Sequence, residues 1–284
     1  MVQDFWNVVW QQDVRVIVML TAEQEGGQVK AHNYWSDKHF GNLHLTQLGE
    51  HRASLEPSRI QSHKERSQSQ RPSLGQRKST ASQPKTSFFP DPNDNVTTAA
   101  PASEKPYVTV RKFTLSNDDE PFERMREITQ LQYSNWPDFG APAHPTHLLG
   151  LIEQTDAVVR SVNGVSSPDK PEPANSRPVI VHCSAGCGRT GTFCTVDSVL
   201  DMLKRQKQAR EGRQSTPMDV DAGSPNQREN GEWIRKEDVD LIEKTVEDFR
   251  LQRLSMVQSL RQFVLCYESI LEWLNEQHQQ SKTA

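Results

Sequence analysis

Eleven residues, Val181-His182-Cys183-Ser184-Ala185-Gly186-Cys187-Gly188-Arg189-Thr190-Gly191, constrain this 284-residue chain more than any other stretch. Pro178 opens the β-branched run Val179 to Val181, which reads as a strand, and beyond the loop Val196, Val199, Leu200 and Leu203 recur at helical spacing. Strand, small-residue loop and helix in that order make a cup. The small residues Ser184, Ala185, Gly186 and Gly188 let successive backbone N–H groups turn inward, and the helix N-terminus adds partial positive charge, so the cup suits a tetrahedral oxyanion. Arg189 supplies a planar fork for two of its oxygens, which a lysine would do poorly. The same donors favour a thiolate at Cys183, since a cysteine at a helix N-terminus has its pKa lowered to roughly 3.5–7.5. Cys-x5-Arg alone is compatible with coincidence; the whole string following a strand is not.

The remaining elements are spaced as in an α/β domain diluted by polar insertions. Only 34% of residues are hydrophobic, 25% are charged, and mean hydropathy is -0.76. A short helix carrying Phe5, Val8 and Val9 precedes a buried strand from Val14 to Leu20, and strands are expected at Val108 to Leu115 and at Ile128 to Tyr133, as antiparallel neighbours. Pro145 opens a helix with Leu148, Leu151, Ile152, Thr155, Val158, Val159 and Val162 on one face. Two further helices present Val239, Ile242, Val246 and Phe249, then Leu260, Phe263, Val264, Tyr267, Ile270, Leu271 and Leu274. Two stretches, about 49–104 and 206–232, are too polar to offset their conformational entropy and read as disordered insertions. The first is basic in its first half, with Arg59, Lys64, Arg66, Arg71, Arg77 and Lys78. It reads first as a solvated linker, with an acidic partner or a kinase as the other readings.

Thirty-three Lys+Arg against 37 Asp+Glu leave a net charge of -4, which gives no reason to expect nucleic acid or an anionic membrane as a partner. The longest apolar run, Val16 to Leu20, is too short to span a bilayer, and no basic region precedes it. Four cysteines, three of them between positions 183 and 194, do not form the framework of a secreted disulfide scaffold; reduced thiols in the cytoplasm, with the nucleus as a second possibility, fit better.

The loop from His182 to Gly191 resembles the signature loop of the cysteine-dependent protein-tyrosine phosphatases, non-receptor type. Trp136-Pro137-Asp138-Phe139-Gly140 is similar to that family's mobile acid loop, and Met256-Val257-Gln258 with Gln262 to its glutamine loop. Phe5-Trp6 with Trp10, Val18 to Thr21, Glu25, Lys30 and Tyr34-Trp35 fall in the family's order. The resemblance implies a highly twisted mixed β-sheet flanked by helices. It also implies hydrolysis of phosphotyrosine in proteins through a phosphocysteine intermediate, with neither metal nor other cofactor.

Its residue roles follow position by position. Cys183 is the nucleophile, and Arg189 with the loop from Ser184 to Gly188 holds phosphate. Asp138 protonates the leaving oxygen and later activates water, although a Trp-Pro-Asp turn is also compatible with a plain rigid loop. Gln258 and Gln262 hold that water, or form a polar stripe on the last helix. Thr190 assists departure of the sulfur, caps the helix, or both. His182 orients the loop or is a satisfied core histidine. Glu25 fixes the guanidinium of Arg189 or is a surface charge. Lys30, Arg250 and Arg253 are anion contacts or solvated. Cys187 reads as a small apolar filler, with capture of an oxidised Cys183 as the alternative.

Members of that family carry a further part of the domain upstream of the Phe-Trp element, including an Asn-Arg-Tyr-like motif that deepens the pocket. No such motif occurs in this sequence. The expectation is therefore a phosphatase domain over 1–278 lacking its N-terminal part. The alternatives are a phosphotyrosine-binding pseudophosphatase or a phosphatase of broader specificity.

Overall fold

The structure, a computed structural model, describes residues 2–56, 106–164, 167, 169–173, 175–215 and 238–283. Helix α1 (Val2–Gln11) leads into β1 (Val16–Met19), the hairpin strands β2 (Gln24–Glu25) and β3 (Gln28–Val29), then β4 (His39–Phe40), β5 (Leu43–Ser54), β6 (Tyr107–Asn117) and β7 (Arg126–Gln132). Helix α2 (Pro145–Asn163), β8 (Val179–His182), α3 (Gly188–Ser215), α4 (Leu241–Gln252) and α5 (Leu260–Thr283) follow. Six strands form one mixed, curled sheet in the order β4-β5-β6-β7-β1-β8, flanked by helices as expected. Strand β1 runs parallel to both neighbours, β7 and β8, whereas β4 to β7 pair antiparallel.

The short run Val16-Ile17-Val18-Met19 is apolar throughout because it is covered on both faces. Val16 and Val18 point into a core built with Leu148, Leu151, Phe193, Val196 and Leu265 of the helices. Ile17 and Met19 point the other way, into a core with Trp6, Val9 and Trp10 of α1 and Phe113 of β6. Period-two alternation thus makes one interior strand the floor of two cores, and its pairing with β8 fixes the strand end after which Cys183 opens the loop.

Several boundaries and faces differ from the sequence reading. The insertion expected at 49–104 starts too early, because β5 continues to Ser54. Residues 46–52 are exposed and carry no apolar period, and this part is held by the backbone ladder to β6 past an irregularity between Gln47 and Gly49. Residues 57–104, with the basic cluster, lie outside the described residues. The insertion expected at 206–232 also starts too early, since α3 runs to Ser215, and 216–232 lie outside the described residues. Helix α5 runs to Thr283, past the expected boundary at 278. In α1 the buried face is Trp6, Val9 and Trp10, and Val8 is 47% exposed. In α5 the buried stripe is Gln262, Leu265, Cys266, Ser269 and Ile270, leaving Leu260, Val264, Leu271 and Leu274 exposed. No helix among the described residues is long and apolar enough to cross a membrane.

Candidate active site

Strand β8 ends at His182, so Cys183 opens the loop, and α3 begins at Gly188 with Arg189 in its first turn. Gly186 turns the loop with φ 67°, a conformation side chains resist. Cys183 is buried. Burial by itself pushes its thiol up. The Thr190 hydroxyl and the amides of Thr190, Cys187 and Gly186 outweigh that effect, and the pKa lies below the usual thiol value. The Thr190 oxygen is buried with no hydrogen-bond partner of its own, and its hydroxyl acts on the neighbouring sulfur by lowering the thiol's pKa.

Arg189 is 1% exposed. Its Nη1 donates to Glu25 Oε1 at 2.5 Å and to the Trp136 carbonyl at 2.8 Å. Nη2 lies 3.3 Å from Asp138 Oδ1 as an ion pair, and neither Nε nor Nη2 makes a hydrogen bond. One edge of the guanidinium is thereby fixed by protein while the other makes no hydrogen bond. A buried N–H edge of this kind is costly without a partner, and an oxyanion in the loop would supply one.

Glu25 reaches Arg189 from a hairpin the sequence reading did not identify. Gly26 and Gly27, with φ 56° and 79°, form the two-residue turn between β2 and β3, and Glu-Gly-Gly-Gln is the signal that would have found it. Thr21 Oγ1 donates to the same Oε1 at 2.7 Å, so Glu25 is no free surface charge.

Asp138 sits in a tight turn in which Trp136 Nε1 donates to the Gly140 carbonyl at 3.0 Å. Lys30 Nζ donates to Asp138 Oδ2 at 2.9 Å, so Lys30 faces the carboxylate rather than the cup. Partial burial pushes the Asp138 carboxyl up, but Lys30 and Arg189 outweigh it and hold the pKa below the usual carboxylate range.

His182 Nε2 lies 2.8 Å from the Tyr34 hydroxyl, which accepts from Gln130 Nε2 at 2.7 Å. The hydroxyl proton therefore goes to Nε2 and leaves Nδ1–H to donate to the Cys183 carbonyl at 3.2 Å. Burial lowers the His182 pKa, in keeping with a neutral ring. Behind it, Arg111 Nη1 donates to Gln130 Oε1 at 3.0 Å and to Gln132 Oε1 at 2.6 Å. Gln130 escaped the sequence reading because a glutamine in a strand carries no local signal of burial.

The glutamine turn is placed differently from its reading as a stripe. Gln262 is buried, and its Oε1 accepts from the amides of Gln258 and Ser259 at 3.1 and 3.2 Å. Gln258 is exposed. Arg250 donates to the carbonyls of Met256 and Val257, bracing this turn, and so does not face the cup. Arg253 lies across the loop, with Nε 3.2 Å from Cys187 Sγ and Nη2 2.8 Å from the Ala185 carbonyl. Ser184 and Ala185 are exposed, Cys187 is partly so, and Gly188 packs against the Gln262 amide. Among the described residues no cluster of three or more His, Cys, Asp or Glu could hold a metal.

The family model for protein-tyrosine phosphatase matches residues 1–89 and 82–218. The chain belongs to the protein-tyrosine phosphatase family. It is 27% identical over 280 residues to the rat tyrosine-protein phosphatase non-receptor type 9, covering 95% of this chain and 32% of that protein. It is 29% identical over 273 residues to the Drosophila melanogaster tyrosine-protein phosphatase corkscrew, covering 96% and 22%. The chain thus spans a third or less of the length of these curated relatives. Among solved structures, PTPN18 in complex with HER2 phosphopeptides superposes with a TM-score of 0.54 at 23% identity, over 95% of this chain and 67% of that one. That likeness extends the phosphatase family assignment to the fold.

Proposed function

We propose that this chain hydrolyses phosphotyrosine in proteins through a phosphocysteine intermediate. The observation that carries the reading is a thiol held toward its anion together with a buried Arg189 whose Nε and Nη2 make no hydrogen bond within the protein, Nη2 being ion-paired with Asp138 alone. The Cys183 sulfur attacks phosphorus, the bond from phosphorus to the tyrosyl oxygen breaks, and Asp138 delivers a proton to that oxygen. Asp138, now a carboxylate, takes a proton from water as the water attacks the phosphocysteine, releasing phosphate and the thiolate. The Thr190 hydroxyl stabilises the departing sulfur. In this reading Gln258, whose side chain is exposed, holds the water. Gln262, whose oxygen is taken by two amides, contributes chiefly by fixing that turn.

Before substrate binds, Lys30 and Arg189 keep Asp138 ionised. A phosphate dianion between the cup and Asp138 occupies Arg189 and opposes a second negative charge, which raises the carboxyl toward the protonated form the first step needs. Four free cysteines fit work in the cytoplasm or nucleus, where thiols stay reduced.

The test is release of phosphate from tyrosine- and serine-phosphorylated peptides. The expected result is turnover of the first, its abolition by Cys183→Ser, and a loss of about 10² to 10⁴ in rate with Asp138→Ala. Binding of phosphotyrosine peptide with no release by the unaltered chain would overturn the reading in favour of a pseudophosphatase. Equal turnover of both peptides would mark broader specificity.

A further inference from the structure

Ser259 stands immediately before α5, and its neighbours form a reciprocal helix-start arrangement: Gln262 N donates to Ser259 Oγ and Ser259 N to Gln262 Oε1, both at 3.2 Å. A serine hydroxyl accepts through its lone pairs and owns a single proton. Capping uses only the lone pairs. The proton goes elsewhere, to the Phe139 carbonyl at 2.9 Å, across 120 positions of sequence.

That carbonyl belongs to the residue after Asp138. Phe139 has φ 55°, and its carbonyl lies outside the turn closed by Gly140 N on the Pro137 carbonyl. The turn is tied to the cup by Arg189 on Trp136 and to the end of the β2–β3 hairpin by Lys30 on Asp138. At its tip packing does little, since the Phe139 side chain is 57% exposed. The Ser259 hydroxyl restrains the tip from the α5 side.

We propose that Ser259 is a positioning residue for the general acid: its hydroxyl proton ties the Asp138 turn to the start of α5 and holds the carboxyl in place beside Arg189. This rests on Asp138 being the acid. A tyrosyl oxygen is a poor leaving group, its phenol having a pKa of about 10, and needs the acid; a dinitrophenolate leaves without a proton. Loss of a positioning bond therefore appears selectively with tyrosine, whereas damage to the cup or to folding lowers both.

The experiment measures kcat/KM, which reports the steps through the first phosphoryl transfer, on a phosphotyrosine peptide and on dinitrophenyl phosphate. The proteins are the unaltered chain, Ser259→Gly, Ser259→Thr, Asp138→Asn and the Ser259→Gly/Asp138→Asn double variant. Glycine keeps most of the helix cap but has no hydroxyl, and threonine keeps both. Expected for Ser259→Gly is a loss of about tenfold on the peptide with little change on dinitrophenyl phosphate, restoration by threonine, and no added loss in the Asp138→Asn background. Equal losses on both substrates, no loss at all, or an undiminished loss in the Asn background would overturn the role of Ser259 while leaving Asp138 as the acid. If Asp138→Asn itself affects both substrates alike, the acid assignment falls, and this inference with it.

Discussion

Glu25 Oε1 receives Nη1 of Arg189 at 2.5 Å, joining a hairpin near the N-terminus to a guanidinium that is 1% exposed. Removing the carboxylate leaves the buried guanidinium with Asp138, 3.3 Å from Nη2, as its remaining counter-charge. Glu25→Ala should lower folding stability by about 3 kcal/mol, read from the urea midpoint. It should also weaken vanadate binding, because the fork at Arg189 loses the partner that fixes its plane. An unchanged midpoint with unchanged vanadate affinity would show that the pair does neither.

The lowered thiol pKa has a direct readout in pH. A free cysteine titrates near 8.5, and one held below that value remains largely thiolate as pH falls through 8 toward its own pKa. Alkylation of Cys183 by iodoacetamide, followed peptide by peptide, should stay fast at neutral pH, and Thr190→Ala should move the profile up. Burial pushes Cys194 and Cys266 up to about 12, so both should stay unmodified there. A Cys183 profile centred on 8.5 would contradict the anion cup.

Gly191 marks where α3 passes against the glutamine turn. A Cβ there would fall on the backbone N of Val257 and come within 3.1 Å of Met256 Cα, both backbone atoms that cannot swing aside. The amides of Gly191 and Val257 also share the Cys187 carbonyl. Gly191→Ala should cost about 1–3 kcal/mol and reduce turnover by displacing the loop. Gly49→Ala, whose Cβ would meet nothing within 4 Å, is the control and should not destabilise the protein.

Tyr34→Phe deletes the hydroxyl between Gln130 and His182. The buried Gln130 nitrogen and the partly buried His182 Nε2 lose this partner, at a cost of about 1–3 kcal/mol. Nitrogen NMR of the His182 ring should at the same time show a loosened preference for the Nδ1–H tautomer. A variant as stable as the parent with an unchanged ring spectrum would remove Tyr34 from the chain of hydrogen bonds behind the loop.

Legibility followed distance along the chain. The cup of Cys183 and Arg189 was readable because its residues are nearly consecutive, and strand end, small-residue turn and helix start are local consequences of residue type. Helix α2 was readable for the same reason: Leu148, Leu151, Ile152, Thr155 and Val159 repeat at 3.6 residues and are buried. Strand β5 beyond Gly49 was not, because its residues are polar and only pairing with β6 makes them a strand. The face of α5 was read only in part: Phe263, Tyr267 and Ile270 do pack on the core, but apolar residues lie around more than half of that helix, and packing selected the side with Gln262 and Ser269.

The local order of residues suffices for the kind of chemistry, because a nucleophile in an anion cup is written in eleven positions. The partners that tune the cup come from far away: Glu25 lies 164 positions from Arg189, Tyr34 148 from His182, and Phe139 120 from Ser259. No local propensity encodes such pairs. They form because β1, covered on both faces, docks between β7 and β8, bringing the N-terminal hairpin, the acid turn and the loop to one end of the sheet.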